Sequence, residues 1–181
     1  MNKKKLLLHS CCGPCSTSVI EKLKNEYDLT IFYYNPNIYP QEEYIKRLNE
    51  QIKYLKLSNQ NIIVIDGTYQ DNALFEKAYQ GYETCKEGGS RCEKCIYLRL
   101  KKTAEYAKNN NFDVFASTLS VSPHKNAKLI NDLGTKLQEE YKIEYLLSDF
   151  KKQDGYLNSI KISKEYDLYR QKYCGCKYSI Y

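Results

Sequence analysis

The sequence lacks both of the glycine-rich loops that commonly hold nucleotide phosphates in α/β proteins. Its 181 residues contain no G-x-x-x-x-G-K-[ST] segment and no G-x-G-x-x-G segment after a predicted strand. They also contain no apolar run long enough to cross a membrane. The basic and apolar stretch at 3–8 stops at His9, which makes it too short for a signal peptide. We therefore expect a cytoplasmic protein without a membrane partner, in which other chemistry replaces the phosphate loop.

Cysteine, in contrast to these missing features, is abundant in the sequence. Seven of the eight cysteines lie in three short groups, Cys11-Cys12-Gly13-Pro14-Cys15, Cys92-Glu93-Lys94-Cys95 and Cys174-Gly175-Cys176. In a reducing compartment, clustered thiols indicate metal binding or catalysis rather than structural disulfides. The sequence therefore predicts that three distant segments converge on a metal centre, a redox disulfide, or both. Only Cys85 stands outside these groups, and no role is predicted for it.

Strand and helix patterns alternate along the whole chain. Strands are predicted at 4–9, 30–34, 61–65, 113–116 and 143–147, and helices at 16–24, 40–55, 72–79, 94–108, 125–141 and 164–172. This alternation predicts one α/β domain over residues 1–181, with a parallel sheet, helices on both faces and a helical, cysteine-containing C-terminal extension. Active sites of such sheets lie beyond the carboxyl ends of the strands. Cys11, Cys12 and Ser117 directly follow predicted strands and are expected at that edge.

The first two cysteine groups carry four thiols that suit an iron–sulfur cluster. Cys11 and Cys12 lie at the predicted turn into the first helix, where free N–H groups and positive potential favour thiolates. Cys92 and Cys95 form a C-x-x-C pair, which lets two sulfurs face one centre. Four thiolates match a [4Fe–4S] cluster, and two adjacent cysteines can bind different irons of it. Because four thiolates also match one zinc ion, the residues alone leave both metals open.

The third group and Cys15 each allow two interpretations. A disulfide between Cys174 and Cys176 would close a very small ring, so it would be strained, easily reduced and suited to redox catalysis. The same two thiols could instead be further metal ligands. Cys15 could bind a second metal or pack the first helix. His9 ends the first predicted strand, and we expect it to pack beside the cysteines rather than to bind metal.

The charge balance is mildly basic. There are 28 Lys and Arg residues against 22 Asp and Glu residues, which gives a net charge of +6. This balance permits a nucleic-acid partner, although a solvated lysine-rich surface would give the same count. The 19 tyrosines could stack on RNA bases. The abundance of Lys, Asn and Ile also indicates an AT-rich genome, which weakens that argument.

Four segments in this order resemble the QueH type of epoxyqueuosine reductase. They are HSCCGPCS at 9–16, RCEKCIYLRL at 91–100, STLSVSPHK at 117–125 and SKEYDLYRQKYCGC at 163–176. The resemblance spans nearly the whole chain and implies a HUP-like α/β fold, related to adenine nucleotide hydrolase-like domains. It implies reduction of epoxyqueuosine to queuosine at the wobble position of tRNA, without cobalamin. The implied substrates are tRNAs with GUN anticodons, those for Asp, Asn, His and Tyr.

The resemblance also implies roles for seven cysteines. Cys11, Cys12, Cys92 and Cys95 would hold a [4Fe–4S] cluster, Cys174 and Cys176 would form a redox-active disulfide, and Cys15 would help to hold an additional iron. We expect an iron to polarise the epoxide oxygen, the cluster to relay electrons and the C-x-C pair to supply two of them. The resemblance does not identify the external electron donor.

Two other functions are also consistent with the sequence. A zinc-stabilised RNA-binding domain would be colourless and would unfold when chelators remove its zinc. A thiol–disulfide oxidoreductase acting on proteins would need only Cys174 and Cys176. If the partner is tRNA, candidate phosphate contacts are Arg99, Lys125, Lys151, Lys152 and Arg170.

Overall fold

The computed structural model describes residues 3–179 and contains a five-stranded, all-parallel sheet. The strands are β1 Lys4–His9, β2 Tyr27–Tyr33, β3 Ile63–Asp66, β4 Val114–Ser117 and β5 Glu144–Tyr145. Their order across the sheet is β3-β2-β1-β4-β5. The chain moves outward on one side of β1 and then returns to its other side. The gap between the carboxyl ends of β1 and β4 is therefore the topological switch point, where open α/β sheets bind their ligands.

Six α-helices cover the two faces of the sheet. They are α1 Gly13–Leu23, α2 Gln41–Leu57, α3 Asn72–Tyr79, α4 Ser90–Asn109, α5 Ala127–Tyr141 and α6 Gly155–Glu165. Alternate side chains of β1 separate the two layers, because neighbouring residues in a strand point to opposite faces. Leu6 and Leu8 pack with α1, α2 and α6, whereas Leu7 packs with α3, α4 and α5. None of these helices within residues 3–179 combines the length and apolarity that a membrane crossing requires.

This architecture confirms the predicted α/β fold with a parallel sheet and helices on both faces. Two helices begin earlier than the sequence pattern indicates. Helix α1 begins at Gly13, because Pro14 can occupy the first turn, where no N–H partner is needed. Helix α4 begins at Ser90, so Cys92 and Cys95 lie inside its first turns rather than before them.

The predicted helix at 164–172 is wrong. Helix α6 ends at Glu165, and Asp167 has a left-handed backbone with φ of 47°, which a continuing α-helix does not permit. Beyond it the chain lies across α2 as an irregular segment. The Tyr169 N–H donates to the Glu50 carboxylate at 2.9 Å, and Tyr54 packs edge-on against Tyr166. We call residues 166–176 the C-terminal strap. Cys174 and Cys176 both lie in the strap, outside any helix.

Gly13 fixes how closely α1 approaches α2. A Cβ built on Gly13 would lie 2.6 Å from the carbonyl oxygen of Glu50 and 2.8 Å from the nitrogen of Gln51. Both are backbone atoms of α2, so a side chain at position 13 cannot be accommodated by a rotamer change. The glycine therefore allows the cysteine-bearing turn to sit directly against α2.

We expect Gly13→Ala to lower the free energy of unfolding by about 1–3 kcal/mol, because the added methyl group overpacks a backbone contact. Urea unfolding of the anaerobically purified protein measures this loss. Gly89→Ala is the matched control, since its Cβ would lie 3.1 Å from the Lys86 carbonyl oxygen and 3.9 Å from the Cys85 Cβ, both longer than the contacts at Gly13. A loss at position 13 no larger than that at position 89 would contradict the close-approach interpretation.

Candidate metal and thiol site

A cavity of about 540 Å³ opens at the switch point of the sheet. Cys11 and Cys15 line it from the turn after β1, and Thr118 lines it from the 3₁₀ turn after β4. The Thr118 hydroxyl lies 3.9 Å from the Cys11 sulfur. Cys174 of the C-terminal strap lines the same cavity. The structure thus brings the first and third cysteine groups to the edge that the strand pattern predicts.

The first cysteine group forms a compact set of three sulfurs. The Sγ atoms of Cys11, Cys12 and Cys15 all lie within 4.8 Å of one another, and those of Cys11 and Cys12 are 3.9 Å apart. Within residues 3–179 this is the one group of three or more potential metal-ligating side chains at such spacing. Thiolates are the ligands preferred by iron–sulfur clusters and by zinc, so the donor chemistry suits either. Cys15, expected near a second iron, therefore lies beside two of the expected cluster ligands.

The three sulfurs are electrostatically unequal. Hydrogen bonds with Cys12 and then Cys15 lower the pKa of Cys11 well below its usual range. The hydrogen bond with Cys11 raises the pKa of Cys15, and that with Cys11 also raises the pKa of Cys12 to about 12. Cys11 is thus the first of the three to become a thiolate, and a thiolate is the form that binds metal. The Gln171 amide also donates to the Cys12 sulfur at 3.1 Å.

Helix α2 supports this cysteine turn through a buried glutamine. The side-chain oxygen of Gln51 accepts hydrogen bonds from the hydroxyls of Ser10 and Ser16, at 2.7 and 2.8 Å. These serines lie on either side of the first cysteine group, and all three residues are fully buried. Buried hydrogen bonds restrain the chain around them, and here they are made by the Gln51 oxygen alone, since its Nε2 has no hydrogen-bond partner among the residues described. Gln51 therefore holds both ends of the turn against α2.

The second cysteine group lies on the first turns of α4. Cys92 and Cys95 are three residues apart, so they occupy neighbouring positions on one face of the helix. The Cys92 sulfur accepts a hydrogen bond from the Gly88 N–H at 3.2 Å, and Cys95 is buried. Their sulfurs do not join the compact set of Cys11, Cys12 and Cys15. The predicted four-thiolate set of Cys11, Cys12, Cys92 and Cys95 stays a prediction.

The guanidinium of Arg99 interacts electrostatically with a thiol from each of the three cysteine groups. It is 3% exposed, and within residues 3–179 no carboxylate lies within 4.0 Å of its nitrogens. Burial alone would lower the pKa of Arg99, but the thiols of Cys95, Cys174 and Cys11 raise it overall. These thiols, rather than a carboxylate, are therefore the acidic groups that can offset the charge of this buried guanidinium. Arg99 is therefore not a surface charge, but it lines the cavity, and its predicted phosphate contact stays a prediction.

His9 is packed within the core, as expected. Its Nδ1 lies 2.9 Å from the Ser117 hydroxyl and its Nε2 lies 3.0 Å from the Tyr34 carbonyl oxygen. A carbonyl oxygen can only accept, so Nε2 carries the proton and Nδ1 accepts from Ser117. Burial and then the charge of Arg99 lower the pKa of His9 to about 4. The imidazole is therefore neutral and ties the carboxyl ends of β1, β2 and β4 together.

The C-terminal strap is anchored by a second buried arginine. Arg47 of α2, 1% exposed, donates to the carbonyl oxygens of Cys174 at 3.0 Å and Tyr173 at 3.2 Å. Its Nε donates to the Glu43 carboxylate at 2.7 Å. Gly175 has a φ of 113°, and a Cβ there would lie 3.0 Å from the Arg47 guanidinium. Glycine is therefore required between the two cysteines, both for its backbone conformation and for this contact.

All eight cysteines are free thiols in this structure. Cys174 and Cys176 are both half-buried, and the Lys125 ammonium donates to the Cys174 sulfur at 3.2 Å. The Lys125 ammonium therefore contacts a thiol, whereas a lysine that binds RNA phosphate is expected to point into solvent. Lys151, another predicted contact, donates to the Lys125 carbonyl oxygen at 2.8 Å. Arg170 lines the cavity, and its Nη1 donates to the Ser159 carbonyl oxygen at 3.2 Å and to the Ser163 hydroxyl at 3.0 Å.

Sequence reasoning missed three polar residues that organise the site: Arg47, Gln51 and Gln171. The pattern of α2 did contain a signal, because Arg47 and Gln51 lie four residues apart on the same helical face as buried Tyr44 and Tyr54. Polar residues on an apolar helix face indicate buried hydrogen-bond partners. Nothing in the local sequence around Gln171 indicates its contact with Cys12, because that contact spans 159 positions.

The chain is similar over nearly all its length to one family. The family described as "Epoxyqueuosine reductase QueH" matches residues 6–181. A protein of Streptococcus pyogenes serotype M1 with that name is 42% identical over 178 residues, covering 96% of this chain and 69% of the relative. One from Acinetobacter baylyi is 42% identical, covering 99% and 82%. One from Thermotoga maritima is 33% identical, covering 97% and 90%.

We expect Arg47→Met to cost about 3–5 kcal/mol, because it leaves the Glu43 carboxylate and two strap carbonyls without their partner. Hydrogen exchange followed by mass spectrometry should show faster exchange in residues 168–176, and urea unfolding gives the global loss. Lys56→Met, an exposed change in the last turn of the same helix, is the control and should stay within about 0.5 kcal/mol. Unchanged exchange of the strap in the Arg47 variant would show that something else anchors it.

Proposed function

Because the chain belongs to the QueH family of epoxyqueuosine reductases, we propose that it reduces epoxyqueuosine in tRNA to queuosine. The reaction removes the epoxide oxygen as water and leaves an alkene, so it consumes two electrons and two protons. We further propose that a single metalloenzyme domain carries it out without cobalamin, in a reducing compartment such as the cytoplasm. Eight free thiols suit such a compartment.

The observation that carries this proposal is the convergence of three cysteine groups around Arg99. Cys11 and Cys174 line one cavity together with Arg99, and Cys95 lies one helical turn before Arg99 on α4, although these cysteines come from the two ends and the middle of the chain. A fold does not need three thiol groups at one sheet edge for stability. Redox-active dithiols and thiolate-bound iron–sulfur clusters are functions that use such a concentration of sulfur.

We propose that Cys11, Cys12, Cys92 and Cys95 hold a [4Fe–4S] cluster and that Cys15 helps to hold an additional iron. Such a centre, when bound, transfers electrons and polarises an oxygen atom. The protein's own contribution is the arrangement of the thiols. Hydrogen bonding within the first group favours the Cys11 thiolate, and Arg99 offsets the negative charge that accumulates as thiolates form.

Cys174 and Cys176 supply the two electrons in this proposal. Their oxidation to a disulfide releases two electrons and, from two thiols, two protons, which matches the demand of epoxide reduction. Arg47 and Gly175 hold the pair at the cavity edge, and an external electron donor returns the disulfide to the dithiol. A cavity of about 540 Å³ has the volume of a site for one modified nucleoside.

The substrate in this proposal is the anticodon region of tRNAs with GUN anticodons. Arg170, Lys172 and His124 line the cavity together with Lys125. Cationic side chains around a site attract the phosphate backbone of RNA. Lys152 is exposed near the same end of the sheet and is retained as a candidate backbone contact.

The first prediction for this function concerns metal content. Anaerobically purified protein should be brown and contain about four or more irons with matching sulfide. Cys11→Ser and Cys95→Ser should each lower the iron content, while Cys85→Ser, outside the three groups, should retain it. A colourless protein with one zinc and no sulfide, even after reconstitution, would favour a zinc-stabilised RNA-binding domain instead. The three close sulfurs of Cys11, Cys12 and Cys15 would then be its zinc ligands.

The second prediction concerns the substrate. With a strong reductant, the holoenzyme should convert epoxyqueuosine in tRNA to queuosine, detected by nucleoside mass spectrometry. Binding of that tRNA should weaken steeply with salt, because counterions released from phosphates return to them as salt rises. Cys174→Ser should abolish turnover but leave binding within about two-fold, since its sulfur is assigned to electron supply. Binding that is insensitive to salt would contradict the proposed RNA substrate.

A further inference from the structure

The two cysteines of the C-x-C pair have different surroundings. The lining of the cavity includes Cys174, whereas Cys176 is absent from that lining within residues 3–179. Cys174 receives the Lys125 ammonium at 3.2 Å. Burial, followed by the nearby thiols of Cys95 and Cys174, raises the pKa of Cys176 to about 11. One sulfur thus faces the substrate cavity with a cation beside it, and the other is turned away and held as a thiol.

The Lys125 ammonium is positioned to contact the Cys174 sulfur rather than to form a surface ion pair. Within residues 3–179 no carboxylate lies within 4.0 Å of its ammonium. Its backbone is fixed on both sides, because its N–H donates to the Ser122 carbonyl oxygen at 3.2 Å and its own carbonyl oxygen accepts from Lys151. Burial alone would lower the pKa of Lys125, but Cys174 raises it overall. The ammonium form is therefore maintained beside the sulfur.

The two arginines near Cys174 interact with other groups. Arg47 uses its nitrogens on Glu43 and on strap carbonyl oxygens, and Arg99 is shared with Cys95 and Cys11. The further charged or titratable groups that line the cavity are Cys11, Cys15, Glu87, His124, Tyr156, Arg170, Lys172 and Tyr173. Among the side chains described, Lys125 is the one that donates a hydrogen bond to the Cys174 sulfur.

We propose that Lys125 is a catalytic residue that makes Cys174 the reactive thiolate of the pair and leaves Cys176 as the thiol with which it forms the disulfide. This inference rests on the proposed function, in which the C-x-C pair supplies the electrons. An ammonium in contact with a sulfur stabilises its thiolate, which is the reactive form. It also assigns Lys125 to the chemistry, in place of the phosphate contact expected from its charge.

The assignment accounts for every electron and proton of the reductive step. In the reduced state Cys174 is a thiolate, Cys176 is a thiol, and Lys125 carries the proton that Cys174 has given up. Formation of the Cys174–Cys176 bond releases two electrons, while Cys176 and Lys125 each release one proton. The epoxide takes up both electrons and both protons, its two C–O bonds break, its carbons become an alkene, and its oxygen leaves as water.

Selective alkylation of the reduced, anaerobically purified holoenzyme tests this assignment. A limiting amount of iodoacetamide is added, and fragmentation of the tryptic peptide 173–177 separates modification at Cys174 from modification at Cys176. We expect Cys174 to react about 10-fold faster or more than Cys176, because only its thiolate is stabilised. Lys125→Met and Lys125→Gln should abolish this preference, Lys125→Arg should keep it, and Lys128→Met, an exposed lysine in the first turn of α5, should not change it.

Turnover kinetics separate the catalytic role from RNA binding. Lys125→Met should lower kcat by about 100-fold, as expected for loss of a proton donor, with the KM for tRNA changed less than about two-fold. A raised KM with unchanged kcat would place Lys125 on the RNA backbone and overturn the proposal. Equal alkylation of the two cysteines in the unmodified chain would also overturn it. Alkylation requires neither tRNA nor epoxide, so its outcome does not depend on whether the proposed reductase activity is found.

Discussion

The site depends on a buried guanidinium whose neighbours are cysteine thiols rather than carboxylates. An unpaired arginine in a protein interior costs several kcal/mol, and Arg99 is both buried and without a carboxylate partner among the residues described. The thiols raise the pKa of Arg99, and the charge of Arg99 in turn helps to lower the pKa of Cys11, which favours the thiolate that metals bind. Asn35, which accepts from Arg99 at 3.2 Å and donates to the Ser10 carbonyl oxygen at 2.8 Å, joins this charge to the turn after β1.

The position of this charge follows from the sheet. Parallel strands place all their carboxyl ends at one edge, and the reversal of strand order beside β1 opens a gap there. Cys11 follows β1 and Thr118 follows β4, so the switch point brings them to within 3.9 Å. The neutral His9 then bridges three strand ends by hydrogen bonds from inside the core. A general property of the fold thus becomes a specific site through a few buried polar contacts.

Much of this arrangement could be predicted from the sequence. Alternating periodicity predicted the parallel sheet, and the strand ends located Cys11 and Ser117 at its functional edge. The C-terminal strap could not be predicted, because its tyrosines and lysines have the spacing of a helix, whereas its conformation is set by contacts with α2 such as that of Tyr169 with Glu50. The contact between Lys125 and Cys174 could not be predicted for a similar reason. A lysine beside a proline and a histidine looks like a surface charge until the fold brings Cys174, 49 positions away, into contact with it.

One helix carries the supports of both halves of the site. Gln51 of α2 holds the turn that bears the first cysteine group, and one helical turn earlier Arg47 holds the strap that bears the C-x-C pair. The two supports share a rigid element, so any displacement of α2 relative to the sheet carries both sulfur groups with it. Their mutual distance is then insensitive to such motion. In the proposed function electrons pass between these two sulfur groups, and the rate of such a transfer depends on the distance between the groups. The shared attachment to α2 keeps that distance constant.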